Sequence, residues 1–331
     1  MKALRFDRFG DLSVLQVQEI PTPQMGNSDV LVRVHAASIN PSDVKNVQGH
    51  MEGTALPRTP GRDFAGVVVS GPAEWTGKEV WGTGGDVGFT RDGSHAEFIA
   101  VPAQGVAPKP NRLSMEEAAS AGVNYLAAYL GLVQAAAVRE GETVLVTGAG
   151  GGVGTAVMQL AKWKGTRVIA VDRRAFSPEQ ARELGIDLQV DVSSGDYEAM
   201  VQRVREFTGG QGATIAFDCV GGPLFEPCLK CLGQRGRQVN ITSVGTRRVS
   251  FDLLDFYHHQ LALYGIDTRA YDTVASATIL KELTPGFESG VLHSASVQSR
   301  YTIDKAIDAY KEVDSGAKGK VVLLFDPASF K

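Results

Sequence analysis

The sequence predicts an α/β protein: a doubly wound parallel sheet joined to a β-rich domain. Two observations predict it. From about Thr143 to Glu288, apolar runs alternate with amphipathic helical stretches, the pattern of a parallel sheet covered on both faces. Before that, VLVRVHAASI, FAGVVVSG, KEVWGTG and HAEFIAVP are short, β-rich and separated by Gly and Pro, as in an irregular barrel. A length of 331 residues suits two domains.

The alternating half opens on TVLVTGAGGGVGTAVMQLAKWKGTRVIAVDRR, Thr143 to Arg174. Thr143–Thr147 has the composition of a buried parallel strand, and Val153–Lys164 follows with helical apolar spacing. The turn between them misses the G-x-G-x-x-G spacing, because Ala149 stands where the first glycine is required before Gly151 and Gly154. Its context is still that of a dinucleotide site. A loop bare of side chains lets backbone approach a pyrophosphate, and first-turn N–H groups meet its charge. Gly151, Gly152 and Val153 are the expected donors. Arg167–Val171 ends at Asp172, about where a group reading the adenosine ribose should lie, and Arg173 and Arg174 follow. Asp172 suits the ribose 2′-OH of NAD, whereas the arginines suit the 2′-phosphate of NADP.

The series continues with a helix in SPEQARELG, capped by Ser177 with Gln180, then a helix over Asp196–Phe207, a strand over Ala213–Asp218 and a helix over Gly222–Leu232. Arg237–Thr242 reads as a strand, Phe251–His259 and Leu261–Ile266 extend the pattern, and Thr273–Glu288 closes it. The tail SRYTIDKAIDAYKEVDSGAKGKVVLLF holds one amphipathic helix and one apolar strand, and is expected to return to the β-rich domain. The expected division is therefore 1–118 with 289–331 for that domain, and 119–288 for the nucleotide domain.

A net charge of −4 gives no electrostatic reason to expect nucleic acid or anionic membrane as a partner, and no apolar run approaches the length of a membrane span. MKALRFDRFGD carries charge where a signal peptide needs an apolar stretch, so the expected compartment is the cytoplasm. The three cysteines are Cys219, Cys228 and Cys231. The C-x-x-C pair in EPCLKCLG has no second pair and falls on a short helix, so it reads as two half-buried helical cysteines.

The order INPSDVKNVQG, PGRDFAGVV, DGSHAEF, GAGGGVG, FDCVGG and GKVVLLF resembles the zinc-independent quinone oxidoreductase branch of the medium-chain dehydrogenase/reductases, over essentially the whole chain. The resemblance implies a GroES-like barrel beside a Rossmann-type domain, reduction of a quinone or an α,β-unsaturated carbonyl as small-molecule substrate, and NADPH as the favoured donor with NADH possible. Zinc-dependent relatives carry Cys near Asn40–Asp43 and G-H-E where this chain has Gly61-Arg62-Asp63, so no metal is expected. Asn40 matches the family's active-site asparagine, an amide able to donate to a substrate oxygen or the nicotinamide ribose. Lys45 stands where relatives have Tyr or Lys, either as an enolate stabiliser or proton relay or as a solvated lysine after an Asn40-Pro41 turn. Ala127 replaces a frequent Thr in NYLAAY, leaving Tyr125 as a pocket-lining candidate or a core residue. Val220, Ser243 and Lys320 are the further cofactor contacts the resemblance implies. It also implies a homodimer, in which edges formed by Leu261–Ile266 pair across a two-fold axis. The alternative function is a dinucleotide-binding redox sensor or structural protein with little catalysis.

Overall fold

The computed structural model describes residues 1–325, and no helix among them is long and apolar enough to cross a membrane. The described residues divide into two compact units, Met1–Leu126 together with 268–325, and Ala127–Asp267.

The first unit is built around the 11-residue strand Asp29–Ile39. Its alternation buries Val30, Val32 and Val34, and it pairs antiparallel with Phe64–Ser70, Phe98–Pro102 and Lys320–Leu324. The tail thus returns as an inner strand of this sheet, with Val297–Thr302 parallel to it at the edge. Two strand registers bring polar residues face to face at one end of Asp29–Ile39. Val321 lies opposite Ile39, so the next step sets Lys320 opposite Asn40. Ala65 lies opposite Ala36, so the next pair on that side sets Asp63 opposite Ser38.

The second unit is a six-stranded sheet, every pairing parallel. Its order is Leu188–Asp191, Arg167–Asp172, Thr143–Thr147, Ala213–Asp218, Leu232–Asn240 and Ala262–Gly265. Numbered along the chain these strands run 3-2-1-4-5-6, the order of a Rossmann sheet, with its switch point beside Thr143–Thr147. Thr143–Thr147 is buried throughout, as a central strand must be. Ser177 caps Pro178–Glu183 reciprocally with Gln180.

Two sequence expectations change. Leu188–Asp191 is an edge strand that the polar sequence LQVD conceals. Thr273–Glu288, grouped by pattern with the nucleotide domain, lies in the first unit. Side-chain contacts decide its place: the Thr273 N–H donates to Asp86 at 2.9 Å, and Phe287 meets Trp81 edge-on at 5.5 Å.

Candidate functional site

In the second unit the buried strand Thr143–Thr147 ends at Gly148, which turns the chain with φ +58°. The conformational task of the missing glycine has moved one residue, from Ala149 to Gly148. The Gly151 N–H closes the turn on the Gly148 carbonyl at 2.9 Å, and the helix Gly152–Trp163 begins at once. A Cβ on Gly154 would stand 2.4 Å from the Gly148 carbonyl oxygen, so this glycine lets helix and strand close together. The Thr155 N–H already bonds the Gly151 carbonyl. Outward donors therefore begin at Gly152 and Val153, whose first-turn N–H groups have no carbonyl behind them. Gly151, expected as a third donor, spends its N–H inside the turn.

Asp172 ends the neighbouring strand half-buried, with both carboxylate oxygens occupied by backbone. One accepts the Gly150 N–H at 2.8 Å and the other the Arg174 N–H at 3.1 Å. Arg173 and Arg174 are exposed. At the end of Ala213–Asp218, buried Asp218 accepts the Thr147 hydroxyl at 2.6 Å and the N–H groups of Val220 and Gly221 at 3.0 and 2.9 Å, all on one oxygen. The Val244 N–H donates to the Val220 carbonyl at 2.8 Å, which joins the loops that carry Val220 and Ser243. Asp218 was not singled out from sequence, although the acid at a strand end before VGG was its signal. Cys228 and Cys231 are buried on Phe225–Cys231, where burial pushes the Cys231 thiol up to about 12.

The first unit holds a buried polar cluster. Asn40 is only 2% exposed, and its amide N–H donates to Asp63 at 2.9 Å while its carbonyl oxygen accepts from the Lys320 ammonium at 2.7 Å. Asp63 also accepts the Ser38 hydroxyl at 3.3 Å and, on its other oxygen, the Val123 N–H at 3.0 Å. The Asn40 N–H donates to Asp43 at 2.8 Å at the start of the helix Pro41–Val47. Burial, with Asp63 adding to it, raises the Asp43 carboxyl to about 7, against the Asn40 N–H that favours the ion. Burial lowers the Lys320 ammonium, and Asp63 and Asp43 oppose that shift. His95 lies between the Tyr310 hydroxyl at 2.8 Å and the Ser38 carbonyl at 3.2 Å, and burial pushes it down to about 4.

Of the residues expected in this unit, the structure brings Asn40 and Lys320 together. Lys45 is exposed on Pro41–Val47, a helix whose Asp43, Val44, Asn46 and Val47 are buried. Tyr125 is buried, with its ring edge-on to Phe287 at 4.8 Å and its hydroxyl donating to the His293 carbonyl at 2.8 Å. Asp63 and Arg62 emerge as members that sequence read only as a departure from G-H-E.

Residues 26–111 match the alcohol dehydrogenase GroES-like domain family, and residues 152–282 match the zinc-binding dehydrogenase family. A zinc-type alcohol dehydrogenase-like protein of Schizosaccharomyces pombe is 34% identical over 333 residues, covering 98% of this chain and 97% of that protein. The chain belongs to the medium-chain dehydrogenase/reductases. Within that superfamily, a quinone oxidoreductase of Pongo abelii is 28% identical with 98% of both chains covered. A 2-methylene-furan-3-one reductase of Solanum lycopersicum is 30% identical over 98% of this chain and 79% of its own. An NAD-dependent alcohol dehydrogenase structure superposes with a TM-score of 0.86 at 30% identity, covering 98% of this chain and 100% of that one. A mycobacterial structure complexed with NADPH gives 0.83 at 28%, with the same coverage.

The two groups such relatives use can be tested against these side chains. Zinc does not fit: the G-H-E position presents Arg62, which has no lone pair to give, with its guanidinium bonded to the Gly84 carbonyl at 2.8 Å and the Thr268 hydroxyl at 2.9 Å. A nicotinamide dinucleotide fits the second unit. The glycine turn offers an approach without side chains, and Gly152 and Val153 aim N–H groups outward from a 12-residue helix.

Proposed function

We propose that the protein is an NAD(P)H-dependent reductase of quinones or α,β-unsaturated carbonyls, with NADPH the preferred donor. The observation that carries this reading is the Asn40 amide, buried between the Asp63 carboxylate and the Lys320 ammonium. It supplies a donor and a neighbouring positive charge without a metal, which suits an oxygen that gains charge gradually through conjugation. Held at the glycine turn by Gly152 and Val153, a reduced nicotinamide dinucleotide would supply the hydride for the β carbon of such a substrate. Asn40 then donates to the substrate oxygen, and Lys320 adds positive charge behind that donor. The exposure of Lys45 suits a proton relay from solvent better than fixed stabilisation of an enolate. Tyr125, with its hydroxyl on a backbone carbonyl, serves packing.

NADPH is favoured because Asp172 already accepts from the backbone on both oxygens, from Gly150 of the glycine turn and from Arg174, which leaves it less free to read a ribose. Arg173 and Arg174 stand exposed beside it for a phosphate. Val220 and Ser243, on linked loops at the same end of the sheet, complete the proposed cofactor contacts. Oxidation of NADPH and NADH against a panel of quinones and enones tests the reading. Turnover with NADPH and a conjugated acceptor is expected, and no turnover with any acceptor would leave the alternative, a binding protein with little catalysis.

The working form proposed is a homodimer. The edge strand Ala262–Gly265 carries Leu263 at 37% exposure, beside exposed Leu253, Leu254 and Tyr257 in the preceding segment. Light scattering should give twice the chain mass, and Leu263→Lys should halve it. A wild-type monomer at micromolar concentration would reject the pairing.

A further inference from the structure

We propose that Lys320 is a positioning residue that, with Asp63, locks the Asn40 amide in one orientation. The proposal rests on the reading of Asn40 as a donor to the reacting ligand. An asparagine amide is nearly symmetric in shape, so packing alone does not distinguish its oxygen from its nitrogen. Here the neighbours do. Lys320 can only donate and Asp63 accepts on both oxygens, from Asn40, Ser38 and Val123, so rotating the amide by half a turn sets donor against donor and acceptor against acceptor.

Neither neighbour is free to follow such a rotation. Asp63 is held by the Val123 N–H on one oxygen and shared with Ser38 on the other. Lys320, 7% exposed, is held by the strand register that sets it opposite Asn40. One amide N–H is thereby committed to Asp63, and the second keeps a single direction. The ammonium on the carbonyl oxygen also draws electron density from the nitrogen, making that remaining N–H a stronger donor. The ligand atom it suits is an oxygen that becomes more negative as the reaction proceeds.

Lys320→Met keeps much of the side-chain length and removes the donor, whereas Lys320→Arg restores one. We expect kcat with the best conjugated acceptor to fall by roughly tenfold to a hundredfold in Lys320→Met, the cost of a misplaced group. NADPH affinity should stay unchanged, and Lys320→Arg should recover most of the loss. An equal loss of NADPH affinity would make Lys320 a direct cofactor contact and overturn the proposal, as would an unchanged kcat.

A second measurement does not depend on turnover. In wild type the two Asn40 side-chain amide protons, assigned by their loss in Asn40→Ala, should give separate NMR signals that exchange slowly with solvent. In Lys320→Met they should shift and exchange faster. Identical signals in that variant would overturn the lock, and so would fast exchange in wild type, which decides the matter even if Lys320→Met does not fold. Absent turnover with intact, slowly exchanging signals would reject the reductase reading and leave the lock standing.

Discussion

The glycine turn and the Asn40 cluster reach their purposes by opposite means. The turn is local: Gly148, Gly150, Gly151, Gly154 and Asp172 lie within one strand-helix-strand segment, and most of its bonds use backbone groups. The cluster is assembled from distant chain. Asn40 meets Lys320 across 280 residues and Asp63 across 23, and its key bonds run between charged or polar side chains out of water. A backbone site tolerates many side chains provided that none intrudes. A buried charged site tolerates almost no change, because each member left alone is an ion or a donor without a partner.

The largest expected effect comes from that contrast. Asp63→Ala should cost about 3–5 kcal/mol of stability, because it removes a carboxylate facing buried Lys320 and leaves Asn40, Ser38 and Val123 without their acceptor. Urea denaturation measures it, and a loss below about 1 kcal/mol would mean that the cluster does not hold as described.

Next in size is cofactor choice at the turn. The double variant Arg173→Ala, Arg174→Ala should lose about 1.5–3 kcal/mol of transition-state stabilisation with NADPH, a fall of roughly tenfold or more in kcat/KM. NADH should barely change. An unchanged ratio between the cofactors would pass the assignment to NADH.

Two glycines of the turn should then separate. Gly154→Ala forces a methyl against the Gly148 carbonyl and should destabilise the second unit by about 1–3 kcal/mol. Gly152→Val should instead obstruct the pyrophosphate, weakening cofactor binding while the sheet keeps its stability. Calorimetric binding and denaturation on both variants check the split, and a Gly152→Val protein that binds cofactor as tightly as wild type would remove the turn from the site.

The smallest effect concerns pH and belongs to the cluster alone. His95 is pushed down from 6.5 to about 4, so between those values only the unfolded chain takes up its proton and stability rises with pH. Asp43 is pushed up from 3.8 to about 7, so there the folded chain holds the extra proton and stability falls as pH rises. The two slopes, each on the order of 1 kcal/mol per pH unit, oppose each other. Wild-type stability of the first unit, followed by hydrogen exchange in Asp29–Ile39, should be nearly flat from about pH 4 to 6.5 on these two groups. Asp43→Asn should leave a rising profile and His95→Gln a falling one. The same slope in both variants would refute the pairing.

The sequence by itself determined what depends on neighbours along the chain. The alternation of strand and helix, the bare turn after Thr147, Asp172 at a strand end and the Ser177 cap all come from residues a few places apart, whose backbone preferences act before any tertiary contact forms. Asn40 was legible only through resemblance, and the strand Leu188–Asp191 was hidden because an edge strand needs few apolar residues. Tertiary structure decided the rest. The register of Lys320–Leu324 against Asp29–Ile39 brought Lys320 to Asn40, and the closures on Asp86 and Trp81 drew Thr273–Glu288 into the first unit. Burial converted Asp43 and His95 from ordinary ionisable groups into displaced ones. Pairing across hundreds of residues depends on which surfaces exclude water together, and no local pattern in the chain encodes that.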